Sequence, residues 1–404
     1  TNAGTATVTI TDAAGGNYSV TGRTTFTIGQ ATITVTPETG QKKIYGDGDP
    51  TLKYNVSGTV NNETPAFNGA LSRINGTNVG EYEITQDTLK LTDSDGFNAA
   101  NYQLEFRKGV NFNITPRPVT ITGISADNKV YNGNVDADIT GNPEISGLVA
   151  GDENYVTVDP TNATATFADA DAGTAKKVTF TGYALTGTKA GNYTLSAQPA
   201  SVTADITPKE LMITGVTVKD KTYDGTTTAT VTGATFNGLV NSESLTKDKD
   251  YTVTGNFADA AVGENKDVAV TVKLADSVKN YTLSNTGYTK NGCQIVKAAV
   301  AAPAARNLTI INGSTTIYTV MLPQLLPSLV SPGEYGSLTY EKPQLTLTDN
   351  SYQGTAEVRS NKYEYGKLAL QFTQTGNTEG PIGTITVTVH SANYEDITLQ
   401  IDIL

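Results

Sequence analysis

Apolar and polar residues take turns along most of this chain. Ile33 and Val35 stand between Thr32, Thr34 and Thr36; Val268, Val270, Val272 and Leu274 alternate with Ala269, Thr271 and Lys273. Leu368, Leu370 and Phe372 share one parity, as do Ile397, Leu399, Ile401 and Ile403 around Thr398, Gln400 and Asp402. An extended backbone sends successive side chains to opposite faces, so a period of two predicts strands with one apolar face. Such one-sided strands belong to antiparallel sheets that share a core with a second sheet. The stretches between them are rich in Gly, Asn and Asp, the residues that tight turns require. Helix-favouring runs of Leu, Glu, Ala and Lys are hardly present.

Three landmarks recur at one spacing, which marks a repeat. Lys-x-Tyr followed by a Gly/Asn/Asp turn stands at Lys43-Ile44-Tyr45, Lys129-Val130-Tyr131 and Lys221-Thr222-Tyr223, with tyrosines 131 − 45 = 86 and 223 − 131 = 92 apart. A glycine precedes a strand at Gly80, Gly173 and Gly263, at intervals of 93 and 90. Asn-Tyr ends at Tyr18, Tyr102, Tyr193, Tyr281 and Tyr394, at intervals of 84, 91, 88 and 113. A closing strand follows each of the first four: Phe26-Thr27-Ile28, Phe112-Asn113-Ile114, Ala204-Asp205-Ile206 and Cys293-Gln294-Ile295. At 404 residues the chain exceeds what one core serves, and the period of about 90 gives the domain size directly. The expected fold is all-β, with tandem immunoglobulin-like β-sandwich repeats arranged as an elongated rod. Thr115-Pro116-Arg117-Pro118 and Thr207-Pro208-Lys209 form stiff joints, because proline removes ladder donors and fixes the backbone.

The boundaries follow. Residues 1–29 hold a glycine loop, an Asn-Tyr and a closing strand but no Lys-x-Tyr, and read as the rear half of a repeat with edges open to pairing. Complete repeats span 30–115, 116–207 and 208–297. Residues 298–305 read as a linker, and 306–404, which keep the Asn-Tyr alone, as a divergent C-terminal sandwich.

The run Lys-Thr-Tyr-Asp-Gly-Thr-Thr at 221–227 and its weaker copy at 129–133 resemble the YDG-type repeats of large bacterial surface proteins, and Tyr45-Gly-Asp-Gly-Asp-Pro-Thr-Leu52 resembles the MBG type. The stretch from Ile382 through Ile397 looks like modules that accompany them. The resemblance covers nearly the whole chain and implies β-sandwich modules of exported, multi-repeat proteins with no shared active site. The copy at 131 departs from it, with Asn-Gly-Asn in place of Asp-Gly-Thr.

Charge and composition then remove whole classes of function. With 28 Lys+Arg against 40 Asp+Glu, a net charge of −12, the chain repels a phosphate backbone, so nucleic acid is no partner. No apolar run reaches the length of a membrane helix, and no membrane insertion is expected in this stretch; any signal peptide or anchor is expected outside it. Cys293, the one cysteine, lies on a closing strand at an inward position and reads as a small core residue. His390 is the one histidine, so neither a His-based metal cluster nor a catalytic triad has its parts. The acid pairs Asp47/Asp49, Asp93/Asp95, Asp169/Asp171 and Asp248/Asp250 read as solvated turns. Asp93-Ser-Asp-Gly96 opens like a calcium loop but has Phe97 and Leu104 where oxygen ligands belong. Tyr-Asp-Gly reads as the centre of a tight hairpin turn, and the Asn-Tyr-Ser/Thr triplets at 17–19, 192–194 and 280–282 as repeat register before glycosylation. Met321 to Pro332, with three prolines, is the most apolar segment and reads as packed extended chain. No catalytic, cofactor-binding or metal residues emerge, and no enzyme or cofactor is expected. The leading expectation is a monomeric stalk or spacer of a bacterial cell-surface protein. The alternative is an adhesin or glycan-binding module contacting a host glycan or matrix protein, for which the 20 tyrosines would serve as stacking platforms.

Overall fold

The computed structural model describes residues 2–12, 14–311, 314, 316–329, 334–361, 363–374, 376 and 379–404. The chain is all-β, a series of tandem sandwiches with three single turns of 3-10 helix among the described residues. Contacts divide it into two units: Thr1–Lys129 with Asn134–Ile206, and Val130–Gly133 with Thr207–Leu404.

The first unit opens with a hairpin of β1 (Gly4–Thr11) and β2 (Thr21–Ile28), paired with each other alone among the described strands. Next comes a sandwich over 31–115. Its three-stranded sheet centres on Ala31–Pro37, and its four-stranded sheet on Asn111–Thr115 and Gly80–Thr85. Ile33, Val35 and Phe112 are fully buried between them, each side chain contributing about 1.5–3 kcal/mol through burial. The strands from Arg117 onward repeat the plan, with Arg117–Ala126 in one sheet and Gly173–Thr181 beside Val202–Thr207 in the other. A bulge at Thr122/Ile124 bends the first of these strands. Gly123 makes the bulge possible: at φ +78°, a Cβ would lie 2.2 Å from the Asn142 carbonyl oxygen.

In the second unit the sandwich over 209–296 is built alike around Val268, Val270 and Val272. The terminal sandwich faces a sheet centred on Gly383–Ser391 and Ile397–Ile403 against a three-stranded sheet centred on Lys367–Gln374. Its alternating strands bury Leu368, Leu370, Phe372, Ile397, Leu399, Ile401 and Ile403, the parity seen in the sequence.

Two expectations need correction. The sheets are mixed rather than antiparallel. The first strand of each repeat lies parallel to its Asn-Tyr strand, as Ala31–Pro37 does to Tyr102–Phe106 and Lys209–Val218 to Tyr281–Leu283. The Lys-x-Tyr strands also run parallel to the closing strands, Lys42–Ile44 to Asn111–Thr115 and Lys221–Thr222 to Gly287–Val296. It follows that Tyr-Asp-Gly is no hairpin centre: the next strand does not pair with the Lys-x-Tyr strand, lying in the other sheet after Tyr45 (Tyr54–Ser57) and at the far edge of the same sheet after Tyr223 (Thr228–Ala229), with Gly133 and Gly225 at positive φ and the residues before them not. Ala298 bonds the terminal sandwich through its N–H to Asn393 O (3.1 Å) and its carbonyl to Glu395 N (3.0 Å).

Candidate functional site: the tyrosine clasps

The tyrosines of these turns are buried, and each meets the tyrosine of an Asn-Tyr landmark. In the first unit Tyr45 and Tyr193 lie edge to face, ring centroids 5.3 Å apart at 75°, a geometry the ring quadrupoles favour. Both hydroxyls donate to one carboxylate oxygen, Asp152 Oδ2, at 2.9 and 2.6 Å. Lys189 ion-pairs with the other oxygen. Val149 N–H in turn donates to Tyr193 Oη at 3.1 Å. Asp152 is 3% exposed. Burial alone would push its carboxyl up, but hydrogen bonds from Lys189, Tyr193 and Tyr45 outweigh that and hold it below the usual carboxylate range. Burial and the Asp152 charge push the Tyr193 phenol up to about 12. The clasp is therefore a carboxylate held by two neutral phenols and an ammonium.

The second unit repeats it. Tyr131 and Tyr281 meet at 5.4 Å and 82°, and their hydroxyls donate to Glu243 Oε1 and Oε2, both at 2.6 Å. Val240 N–H donates to Tyr281 Oη at 3.0 Å. Burial, then Glu243, pushes Tyr281 up to about 12.

A second contact accompanies the first clasp. Asn192, of the Asn-Tyr landmark, accepts Val79 N–H on Oδ1 at 2.8 Å and donates from Nδ2 to Asn78 Oδ1 at 3.0 Å. Arg117 reaches back to Tyr45 O at 3.1 Å and Asp47 Oδ1 at 2.9 Å. Gly46 sits so close to the following sandwich that a Cβ would lie 2.3 Å from Val149 Cγ2. One apolar cluster runs unbroken through this joint, from Val35, Ile84 and Phe112 through Tyr45 and Tyr193 to Val119 and Val156.

A family model for the MBG domain, YGX type, matches residues 33–112, and one for the YDG domain matches 115–201 and 207–289. Residues 33–289 thus resemble one MBG domain followed by two YDG domains. No curated protein matches it. Among solved structures it is similar to the human desmocollin-1 ectodomain, at 10% identity over 90% of this chain and 79% of that one with a TM-score of 0.23. The S-layer protein SbsC matches at 10% identity over 93% and 54% with a TM-score of 0.18. A SusE-like, surface-located polysaccharide-binding protein of Bacteroides thetaiotaomicron matches at 10% over 91% and 72%, also at 0.18. Likeness at this level bears on neither ligand nor role.

Where the second YDG repeat meets the terminal sandwich the clasp changes. Tyr223 and Tyr394 keep the edge contact, 5.7 Å and 77°, but a third ring, Tyr335, packs on Tyr394 at 5.1 Å in place of an acid. Tyr335 Oη donates to Pro327 O at 2.6 Å, whereas Tyr394 Oη is buried with no hydrogen-bond partner.

The other residues singled out by sequence stay scattered. Cys293 is buried beside Val268 and Ile295, and burial pushes its thiol up. Of its counterparts, Phe112 and Ala204 are buried while Phe26 is 52% exposed. His390 lies on the terminal sheet between Glu341 (Nε2, 3.3 Å) and Asp396 (Nδ1, 2.9 Å); its bond to Asp396, then the charges of both acids, raise its pKa. Asp49 binds Lys43 and Arg73, Asp169 binds Lys176, and Asp248 binds Lys247. Asp93 Oδ1 accepts Ala99 N–H at 2.8 Å, closing a turn in which Phe97 points into the core. Asn192 is occupied in the joint, so its triplet reflects register. Of the proline-broken run, Leu322–Leu325 form one 3-10 turn with Leu322 fully buried. Leu329 packs on the YDG core, and Val330 to Pro332 lie outside the described residues.

Sequence reasoning missed the acids. Their signal is a fourth landmark, Val-x-x-Asp/Glu, at Val60–Glu63, Val149–Asp152 and Val240–Glu243, spaced 152 − 63 = 89 and 243 − 152 = 91. Each closes a β-turn, the acid's N–H donating to the valine carbonyl at 3.1, 3.0 and 2.8 Å. Positive φ at Asn61, Asn62, Gly151, Asn241 and Ser242 aims the acid at the tyrosine.

Proposed function

We propose that the chain is a structural stalk or spacer of a bacterial cell-surface protein, holding other modules at a distance from the envelope. The clasp carries this reading. It occupies the joint with a buried charged network and a continuous apolar core, which a freely hinged string of beads would not need. The exported, multi-repeat setting that the MBG and YDG resemblance implies, and the acidic, nearly cysteine-free composition, support it further. A glycan-binding adhesin has less to draw on. Tyr45, Tyr131, Tyr193, Tyr223, Tyr281 and Tyr394 are committed to ring contacts with one another; Tyr18 and Tyr363 are left strongly exposed.

Small-angle scattering tests the stalk. About four sandwiches, each about one 33 Å strand long, give a length on the order of 130–150 Å and a radius of gyration of roughly 40 Å. A compact globule of this chain length would give about 22 Å, and that value would remove the stalk. Binding to a glycan array retained by residues 306–404 would promote the alternative.

A further inference from the structure

We propose that the hairpin β1–β2 and the Glu63–Tyr102 pair together form an acceptor site for the front half of another YDG-type repeat, one bringing a Lys-x-Tyr strand. Half of a joint is already assembled there. Asn101 accepts Ala3 N–H on Oδ1 at 2.7 Å and donates to Asn2 Oδ1 at 3.2 Å, as Asn192 does with Val79 and Asn78. Tyr102 Oη donates to Glu63 Oε2 at 2.8 Å and receives Val60 N–H at 3.2 Å, as in the two filled clasps. Asp152 and Glu243 each hold two tyrosines; Glu63 holds one.

The hairpin's register specifies what belongs beside it. Gly4 pairs with Ile28, as Gly80 does with Ile114, Gly173 with Ile206 and Gly263 with Ile295. In the complete repeats a Lys-x-Tyr strand lies parallel to the closing strand. The tyrosine N–H then reaches the carbonyl three residues past the Phe/Ala/Cys position: Tyr45 to Thr115, Tyr131 to Thr207 and Tyr223 to Val296, at 2.9, 2.8 and 2.9 Å. The same carbonyl in the hairpin is that of Gly29. A strand docked on it would lie along the C-terminal end of β2, next to the exposed Phe26, and deliver its tyrosine hydroxyl to Glu63. Phe97 stacks on the face of Tyr102 at 5.1 Å and 20°, whereas the incoming tyrosines meet their partners at 75–82°. The position at Glu63 differs from the one Phe97 takes. The site stands whether or not the chain is a stalk.

The test joins a second copy of residues 208–259 directly ahead of Thr1 of the full chain, which keeps Gly4 in the register of Gly263, and follows hydrogen exchange over 4–28. Exchange there is expected to slow by about 100-fold or more as the hairpin gains a folded core. Tyr223→Phe in the added copy and Glu63→Gln in the host should each return part of that protection, and Glu63→Gln should leave the unfused chain's hairpin unchanged. Unchanged exchange on fusion would overturn the proposal. Protection indifferent to both substitutions would overturn the Glu63 socket, and concentration-dependent slowing in the unfused chain would assign the hairpin to a second copy instead.

Discussion

Replacing Asp152 by Asn keeps the shape of the clasp and removes its charge, and the size of the resulting loss follows from the groups around it. Three donors converge on the carboxylate: Tyr45, Tyr193 and Lys189. The amide oxygen can still accept from one of them, but its NH2 group faces the rest donor to donor. Lys189 is 37% exposed and recovers water, so most of the penalty falls on the two buried phenols and the lost charge. Removing one member of a buried network of this kind costs about 3 kcal/mol. For a unit of this size that lowers the midpoint of unfolding by roughly 10 °C. Tyr45→Phe leaves Tyr193 and Lys189 on the carboxylate and should cost about half as much, near 1.5 kcal/mol. Calorimetry of the full chain gives the size, and hydrogen exchange the place: residues 31–207 open faster while 306–404 are unchanged. A shift below about 2 °C, or equal loosening of the terminal sandwich, would refute the reasoning. The pH profile adds a second check. Asp152 titrates lower folded than its ordinary 3.8, so its contribution is present above that pH and fades as pH falls through the folded value. Tyr193 is raised from 10 to about 12, so its contribution is full below pH 10 and is lost as pH rises toward 12. The gap between wild type and Asp152→Asn should be flat from about pH 5 to 9 and close on both sides.

The two kinds of joint respond oppositely to the same substitution. Tyr394→Phe removes a buried hydroxyl that has no partner and should stabilise the second unit by about 1 kcal/mol, whereas Tyr281→Phe removes a bond to Glu243 and should cost about 1.5–3 kcal/mol, both read by urea denaturation. Gly46→Ala combines a positive φ with a collision at Val149 and should destabilise the first unit by at least about 1–3 kcal/mol in the same assay. His390, the single histidine, gives one imidazole signal in NMR, which should titrate above 6.5 and move back toward it in Asp396→Asn. Because its folded pKa is raised, the stability it adds is full below pH 6.5 and lost as pH climbs through the folded value. Cys293 should resist thiol reagents until the chain unfolds, and rapid labelling of the native protein would contradict its burial.

Strand content and repeat spacing were legible because each depends on local pattern. The alternation at Ile397–Ile403 names its buried face residue by residue, and all four apolar positions are buried. Pairing direction was not legible: nothing in Lys42–Ile44 distinguishes a strand that returns beside its neighbour from one that crosses to the other sheet. The tyrosine landmarks were visible as period but not as contact, since Tyr45 and Tyr193 are far apart in sequence and belong to different repeats. Asp152 was hidden for another reason. A carboxylate on a turn reads as solvated, and it becomes a buried acceptor only when a tyrosine encoded elsewhere closes over it.

Tyr45 is encoded in the MBG repeat yet completes the hydrogen bonding of the YDG repeat that follows, so the unit of sequence and the unit of folding are offset by one turn of chain. A YDG repeat separated from its predecessor would expose Tyr193 and Asp152, and its stability would hold a nearest-neighbour term as well as an intrinsic one. The coupling also has a direction. Here the donor of the ring precedes the donor of the acid, so loss of the N-terminal partner strips a ring from its successor's clasp, whereas loss of the successor takes Asn192 from Val79 N–H and Arg117 from Tyr45 O and opens the shared apolar cluster. In an array joined in this way, loss of one repeat loosens the neighbour on either side, by a different set of contacts on each.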